Sequence, residues 1–160
     1  HFDSNGEWAR TGRVCETLLD TFLREPFFAM PPPKSTGREL FTRAWVAASL
    51  SGAYKPEDVQ ATLAELTAIT IANDIRLLSA RTKEVIVCGG GARNGYLLAR
   101  LEHHLHQPVL TTNEVGVDAQ WIEAMAFAWM AKNTLHRQTS NLPSVTGANG
   151  PAILGGVYFG

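Results

Sequence analysis

The chain is 160 residues long, 45% hydrophobic and 18% charged, with a formal net charge of -1 at pH 7. These figures fit one compact domain with a sizeable core and exclude an intrinsically disordered chain. They also exclude a global attraction to nucleic acid or anionic lipid, leaving only local basic patches as a route to either.

Cys15 and Cys88 are the only cysteines and form no CxxC pair, so they read as free thiols in a reducing compartment. No apolar run approaches the roughly 20 residues of a membrane span, and no signal peptide opens the chain. The opening HFDSNGEW lacks an initiator methionine, which is expected of a processed protein or a piece of a longer one.

After a polar turn at Asp3 to Gly6, Val14, Leu18, Leu19 and Phe22 recur at helical spacing and predict a helix over 14–23, ended by Pro26. FFAMPPPKSTGRELF reads as a linker, with Pro31, Pro32 and Pro33 forced extended. Thr36 and Glu39, three residues apart, suit a capping box. The helix they would start carries Leu40, Phe41, Ala44, Trp45 and Ala48. Pro56, Glu57 and Asp58 suit the first turn of a long helix, because proline is tolerated there and acids are favoured by the dipole. Val59, Leu63, Leu66, Ile69 and Thr70 form its expected buried stripe, which ends near Leu78.

Val85 to Cys88 is an all-apolar run suited to an interior strand. Asn94 to His106 reads as a helix buried through Leu97, Leu98, Leu101 and Leu105, and PVLTT, 108–112, as a second strand. A last helix follows, with Asp118 as its expected N-cap and Ile122, Met125, Ala126 and Trp129 as its stripe. A glycine- and proline-rich tail closes the chain. The order of elements is α/β with too few strands, since two buried strands cannot form a sheet with both faces covered and both edges paired.

Several residues invite a chemical reading. VCGGGARNGYLLARL sends a strand into three glycines and then a helix N-terminus, a geometry that receives phosphate or lies flat beneath a nucleotide. The plainer alternative is a tight strand-helix turn. GxGxxG fails because position 94 is Asn, and the KST at Lys34 to Thr36 follows prolines rather than a glycine loop.

Glu123 stands among apolar neighbours, where a carboxylate must be paired, exposed or functional. The pattern alone favours a solvated side chain there, and a cap for Asp118. Thr111, Thr112, Asn113 and Glu114 leave the second strand, where α/β folds bind ligands, or form an ordinary polar loop. Lys34, Arg38 and Glu39 sit on the proline-led loop, Glu39 as the capping-box acid and Arg38 as a possible anion partner. His103, His104 and His106 crowd a helix C-terminus, where positive charge is favoured. With no cysteine or second histidine cluster beside them, a zinc site is not expected.

PPPKSTGRELF, VCGGGARNGYLLARL, TTNEVGVDAQWIEAMAFAW and NLPSVTGANGPAILG, in that order, closely resemble the C-terminal half of anhydro-N-acetylmuramic acid kinase. The likeness covers nearly the whole chain, DSNGEWARTG included. It implies part of a ribonuclease-H-like lobe of the sugar-kinase, Hsp70 and actin superfamily, with ATP held in a cleft between two lobes. It also implies hydrolytic opening of the 1,6-anhydro ring and phosphorylation of O6 from ATP and Mg2+, giving N-acetylmuramic acid 6-phosphate. The expected setting is cytoplasmic cell-wall recycling by a homodimer acting on an amino sugar.

Carried over by position, Gly89, Gly90, Gly91 and Ala92 match the superfamily's adenosine-binding turn, and Glu123 matches an acidic position near the reacting centre. The resemblance also says what is missing. Nothing here matches the family's first phosphate loop, and the general-base aspartate belongs to a strand ahead of this segment, so Asp3 is not that base. Residues 1–160 are thus expected to be the adenosine-facing C-terminal part of the second kinase lobe, without the N-terminal lobe and inactive alone. Two other readings stand beside it: a non-catalytic nucleotide-binding or scaffold module that pairs with a partner, and a superfamily kinase for another sugar.

Overall fold

The computed structural model describes residues 2–78 and 81–158; His1 and the last two residues of the tail lie outside that range. The architecture is α/β and helix-rich. Asp3 begins it: its carboxylate accepts hydrogen bonds from the Trp8 and Ala9 N–H groups at 2.8 and 3.0 Å, which starts α1 (Glu7–Thr11). α2 (Glu16–Leu23) buries Leu18, Leu19 and Phe22, as their helical spacing predicts. α2 ends before Pro26 as expected, but Phe27 to Ala29, read as the start of a linker, form with Pro26 the one-turn helix α3 (Pro26–Ala29).

The predicted helix from Thr36 does not form. Glu39 instead folds back to accept from the Gly37 N–H at 2.9 Å, which ties the acid into a tight turn. α4 (Arg43–Ser49) starts later, capped by Thr42, whose hydroxyl accepts from the Trp45 N–H at 3.1 Å. Leu40 and Phe41 therefore precede the helix. Trp45 stacks on Phe22 with ring centroids 4.9 Å apart, and its indole N–H donates to Glu25 Oε2 at 2.9 Å.

The long helix α5 (Pro56–Leu78) has the predicted limits, with Glu57 and Asp58 in its first turn. Its buried face is broader and smaller-grained than the apolar stripe suggests. Ala61, Thr62, Glu65, Leu66, Ala68 and Ala72 are buried, while Val59, Leu63 and Ile69 are only partly covered. The difference has a packing cause: α5 runs between α2 on one side and α1 and α6 on others, and small residues allow close approach on each. Leu66 joins Leu18, Leu19 and Phe22 in the main core.

β1 (Val85–Val87) and β2 (Val109–Thr111) pair in parallel, with Val85 opposite Val109 and Val87 opposite Thr111. Among the described residues they form a two-stranded sheet and nothing more, as the scarcity of strand patterns predicts. β1 is not the interior strand expected from its composition, since Ile86 is 42% exposed. α6 (Gly95–Leu105) connects the strands, with Asn94 as N-cap and His106 as C-cap. Leu101 is its buried residue; Leu97, Leu98 and Leu105 are half-covered.

α7 (Ile122–Leu135) begins three residues after the expected start. Asp118 does not cap it: its carboxylate accepts from the Gln120 N–H at 2.9 Å, and its backbone carbonyl from the Trp121 N–H at 3.0 Å. Nor does the predicted stripe pack. Met125 and Trp129 are each 54% exposed and Phe127 62%. In the tail, α8 (Pro143–Thr146) is a single turn. Asn141 staples the rest, donating to the Gly150 carbonyl at 3.0 Å and accepting from the Ala152 N–H at 2.6 Å.

Candidate functional site

Because β1 and β2 run parallel, the turns that leave them emerge from the same end of the sheet, the end at which open α/β folds receive ligands. β1 delivers the glycine turn. Gly89 has φ +71° and ψ -161°, a region essentially reserved for glycine, so the first glycine is required by the backbone path. Its N–H donates to the Ala119 carbonyl at 2.9 Å, tethering the turn to the loop before α7. The Ala92 N–H donates to the Gly89 carbonyl at 3.2 Å and the Asn94 N–H to that of Gly91 at 3.0 Å, closing a tight 3-10 turn.

Gly89, Gly90 and Gly91 share a second property. A Cβ placed on any of them would meet no protein atom within 4 Å. Packing against the described residues therefore does not impose their bareness, and the tight turn itself accounts for Gly89. Gly90, Gly91 and Ala92 line an open cleft of about 940 Å3, walled on its other sides by Phe2, Asp3, Asn5, Gln60 and Gln120; Gly89 lies outside this lining.

The geometry also bears on which ligand chemistry suits this turn. Phosphate sites at helix N-termini depend on unsatisfied N–H groups. At α6 two of those groups are engaged: the Leu97 N–H donates to Asn94 Oδ1 at 3.0 Å and the Gly95 N–H to Asn5 Oδ1 at 3.0 Å, while the Leu98 N–H makes the first helical bond, to the Asn94 carbonyl at 3.0 Å. Asn5 and Asn94 thereby engage the helix end that an anion would otherwise meet. Asn5 and Asn94 carry no strong sequence signal of their own. The dipeptide Asn-Gly, present at both places, is the feature that links them.

The remaining residues singled out by sequence separate cleanly. Thr111, Asn113 and Glu114 are spent on local structure: Glu114 Oε1 accepts from the Thr111 N–H at 2.8 Å, and Asn113 Oδ1 from the Ala119 N–H at 2.7 Å. Thr112 Oγ1 is buried without a hydrogen-bond partner. Glu123 lies in the first turn of α7, exposed, and its carboxylate makes no hydrogen bond or ion pair among the described residues. It does not line the cleft beside the glycine turn. Asp3 is committed to capping α1, so its carboxylate is not poised as a base.

Lys34 is a structural pin, its ammonium donating to Asp74 Oδ1 at 3.0 Å and to the Phe28 carbonyl at 3.2 Å. Arg38 is exposed and unpaired among the described residues. Hydrogen bonds from the backbone N–H groups of Glu39 itself and of Gly37 hold the Glu39 carboxyl below its ordinary value. Cys15 and Cys88 are free thiols.

One buried ionic cluster has no counterpart in the sequence reading. Glu65 on α5 is 5% exposed and takes Arg100 in a two-point grip, at 2.6 Å from Nε and 2.8 Å from Nη2. His104 Nε2 lies 2.8 Å from the same carboxylate, and Arg76 donates to the His104 carbonyl. Burial pushes the Glu65 carboxyl up, but the hydrogen bonds from Arg100 and His104 and their charges outweigh it, so its pKa lies below the ordinary value. The same pairing raises that of Arg100. The cluster fixes α6, and with it the exit of the glycine turn, against α5. Among the described residues no three His, Cys, Asp or Glu side chains converge. No helix among them is long and apolar enough to cross a membrane.

Two parallel strands joined by a helix, with a glycine turn at the end of the first, define a helix-rich α/β protein. Its family is settled by comparison. The model of the family "Anhydro-N-acetylmuramic acid kinase" matches residues 1–160, and the chain belongs to that family. Relatives named anhydro-N-acetylmuramic acid kinase include those of Actinobacillus pleuropneumoniae, 51% identical over 98% of this chain, and Saccharophagus degradans, 47% identical over 98%. That of Coxiella burnetii is 50% identical over 99%. The chain spans less than half of each relative's own length, 44%, 43% and 43% respectively.

Proposed function

We propose that this chain is the adenosine-facing wall of an ATP-dependent kinase that opens and phosphorylates 1,6-anhydro-N-acetylmuramic acid. In this reading it forms the C-terminal part of the second, ribonuclease-H-like lobe, and Gly89, Gly90, Gly91 and Ala92 lie beneath the nucleoside. The observation that carries it is the turn itself, three glycines with open space above them at the carboxyl end of a parallel strand. The capped N-terminus of α6 supports the division of labour, with the nucleoside here and the phosphates met elsewhere. Glu123 is proposed to serve the sugar side, as its match to the family's acidic helix position suggests.

Magnesium would accompany ATP, and the setting would be cytoplasmic recycling of cell-wall sugars by a homodimer. Phosphoryl transfer is positioning plus charge stabilisation from both sides of a cleft. Opening the anhydro ring further needs a base to activate water. One wall supplies neither, so the chain alone is inactive.

The alternative, a non-catalytic nucleotide-binding or scaffold module that pairs with a partner, draws on the uncovered apolar side chains of α7 and the open sheet edges. Two assays on the purified chain separate the readings. Incubation with the anhydro sugar, ATP and Mg2+ is expected to yield no phosphorylated sugar; its formation by uncontaminated chain sinks the half-kinase reading. Equilibrium dialysis against ADP is expected to show weak retention, in the roughly millimolar range of a one-walled site. Retention at about micromolar ADP favours the module instead.

A further inference from the structure

The two Asn-Gly dipeptides of the chain's first and middle thirds, Asn5-Gly6 and Asn94-Gly95, meet in space although 87 residues lie between them in sequence. Their contact is reciprocal. Asn5 Oδ1 accepts from the Gly95 N–H at 3.0 Å and occupies the place of a Gly95 side chain, 2.6 Å from where its Cβ would be. Asn94 Oδ1 in turn lies 2.2 Å from the Cβ that Gly6 lacks. Each asparagine thus fills the space left by the other pair's glycine. Asn5 and Gly6 both hold left-handed backbone, at φ +55° and +69°, which aims the Asn5 side chain outward from its turn and is tolerated by asparagine and glycine.

This contact stands at the junction of the candidate site. Asn94 closes the glycine turn through its N–H bond to Gly91 and caps α6 through its side chain, while Asn5 lines the same cleft as the turn. Asp3, two residues before Asn5, is held by α1. We infer that the paired Asn-Gly motifs form a clasp that fixes the glycine turn in its ligand-receiving form, with Asn5 as a positioning residue for the nucleoside. The last clause rests on the proposed nucleotide site; the clasp itself does not. Asn5 touches no reacting atom in this scheme. It sets where the turn lies.

Three variants test the clasp. Asn5→Gly keeps the left-handed backbone and deletes the acceptor; Asn5→Asp keeps both. Gly95→Ala places a methyl where Asn5 Oδ1 sits, in a helix where alanine is otherwise the better residue. The first readout is amide hydrogen exchange at Ala92, Asn94 and Gly95 in the purified chain. Asn5→Gly and Gly95→Ala are each expected to speed exchange at all three by about three- to tenfold, the worth of one net hydrogen bond. Asn5→Asp is expected to restore protection. Introducing Gly95→Ala into the Asn5→Gly chain is expected to add nothing, because the methyl then meets no oxygen. Exchange confined to Gly95, or additive effects of the two changes, would overturn the clasp.

The second readout is ADP titration followed at the same amides, where Asn5→Gly is expected to weaken binding by a similar factor and Asn5→Asp to restore it. ADP that binds the unaltered chain and Asn5→Gly equally overturns the positioning role. An unaltered chain that does not respond to ADP at all overturns the nucleotide reading instead, while exchange still decides the clasp.

Discussion

The helical half of the molecule and the strand half solve their burial problems differently. α1, α2, α4, α5 and α6 enclose their own core: Leu18 and Phe22 are fully buried, Leu66 nearly so, and Glu65, the one deeply buried carboxylate among the described residues, has two partners. α7 carries six large apolar residues against four in α2, yet leaves Met125, Phe127 and Trp129 more than half exposed. Hydrophobic content alone therefore does not locate a core. What differs is the supply of neighbours, and the strand half, with a two-stranded sheet, supplies few. The proposed role as part of a longer kinase accounts for this, since an element shaped to be covered by other segments looks unfinished without them.

The comparison can be broken first at Phe22. Its ring is fully buried and stacked on Trp45, so Phe22→Ala is expected to cost about 4 kcal/mol in urea unfolding. A loss under about 1 kcal/mol would mean that the helical half is as loosely packed as α7.

Glu65→Gln is next. Removing one partner of a buried pair costs about 3–5 kcal/mol when the other charge stays buried. Arg100 is 28% exposed and can reach water, so the expected loss is about 2 kcal/mol at neutral pH. Its pH dependence has a definite sign. The Glu65 pKa is lowered below 4.5 in the folded chain, so its stabilisation is fully present above that value and lost as pH falls through the lower folded-state pKa. The gap between the parent and Glu65→Gln should close on the acid side only; a gap that closes on the alkaline side contradicts the assignment.

Trp45→Phe removes the indole bond to Glu25 while keeping most of the ring, for an expected loss of about 1 kcal/mol. Smallest of all is Trp129→Ala on α7, expected to lie within about 0.5 kcal/mol of the parent because the side chain is already half in water. A loss of about 2 kcal/mol in the same unfolding experiment would show that α7 packs after all and erase the contrast between the halves.

How much of this was legible beforehand depends on the range of the interaction. α2, α5 and α6 were readable because their limits are set locally, by Pro56, by Asn94 and by apolar spacing. The scarcity of strands was equally plain, and with it the incomplete sheet. The errors came where two local signals competed or where tertiary neighbours decided. Glu39 chose a two-residue turn over a capping box, and Thr42 took the helix start. Asp118 chose its own turn over α7. The small residues of α5 were buried because other helices lie against them, which periodicity of large side chains does not report. At the candidate site the glycine turn was visible as sequence, whereas the Asn5 contact was not, because 89 intervening residues hide it.

Two NMR titrations of the chain decide whether the turn from Gly89 to Ala92 receives a nucleoside face or an anion. One uses adenosine and the other inorganic tripolyphosphate, both followed at the amides of residues 89–97. Millimolar adenosine is expected to shift Gly89 to Ala92, while tripolyphosphate leaves these amides and the capped start of α6 unmoved. Shifts at Gly95 to Leu97 with tripolyphosphate, and none with adenosine, would contradict the nucleoside reading.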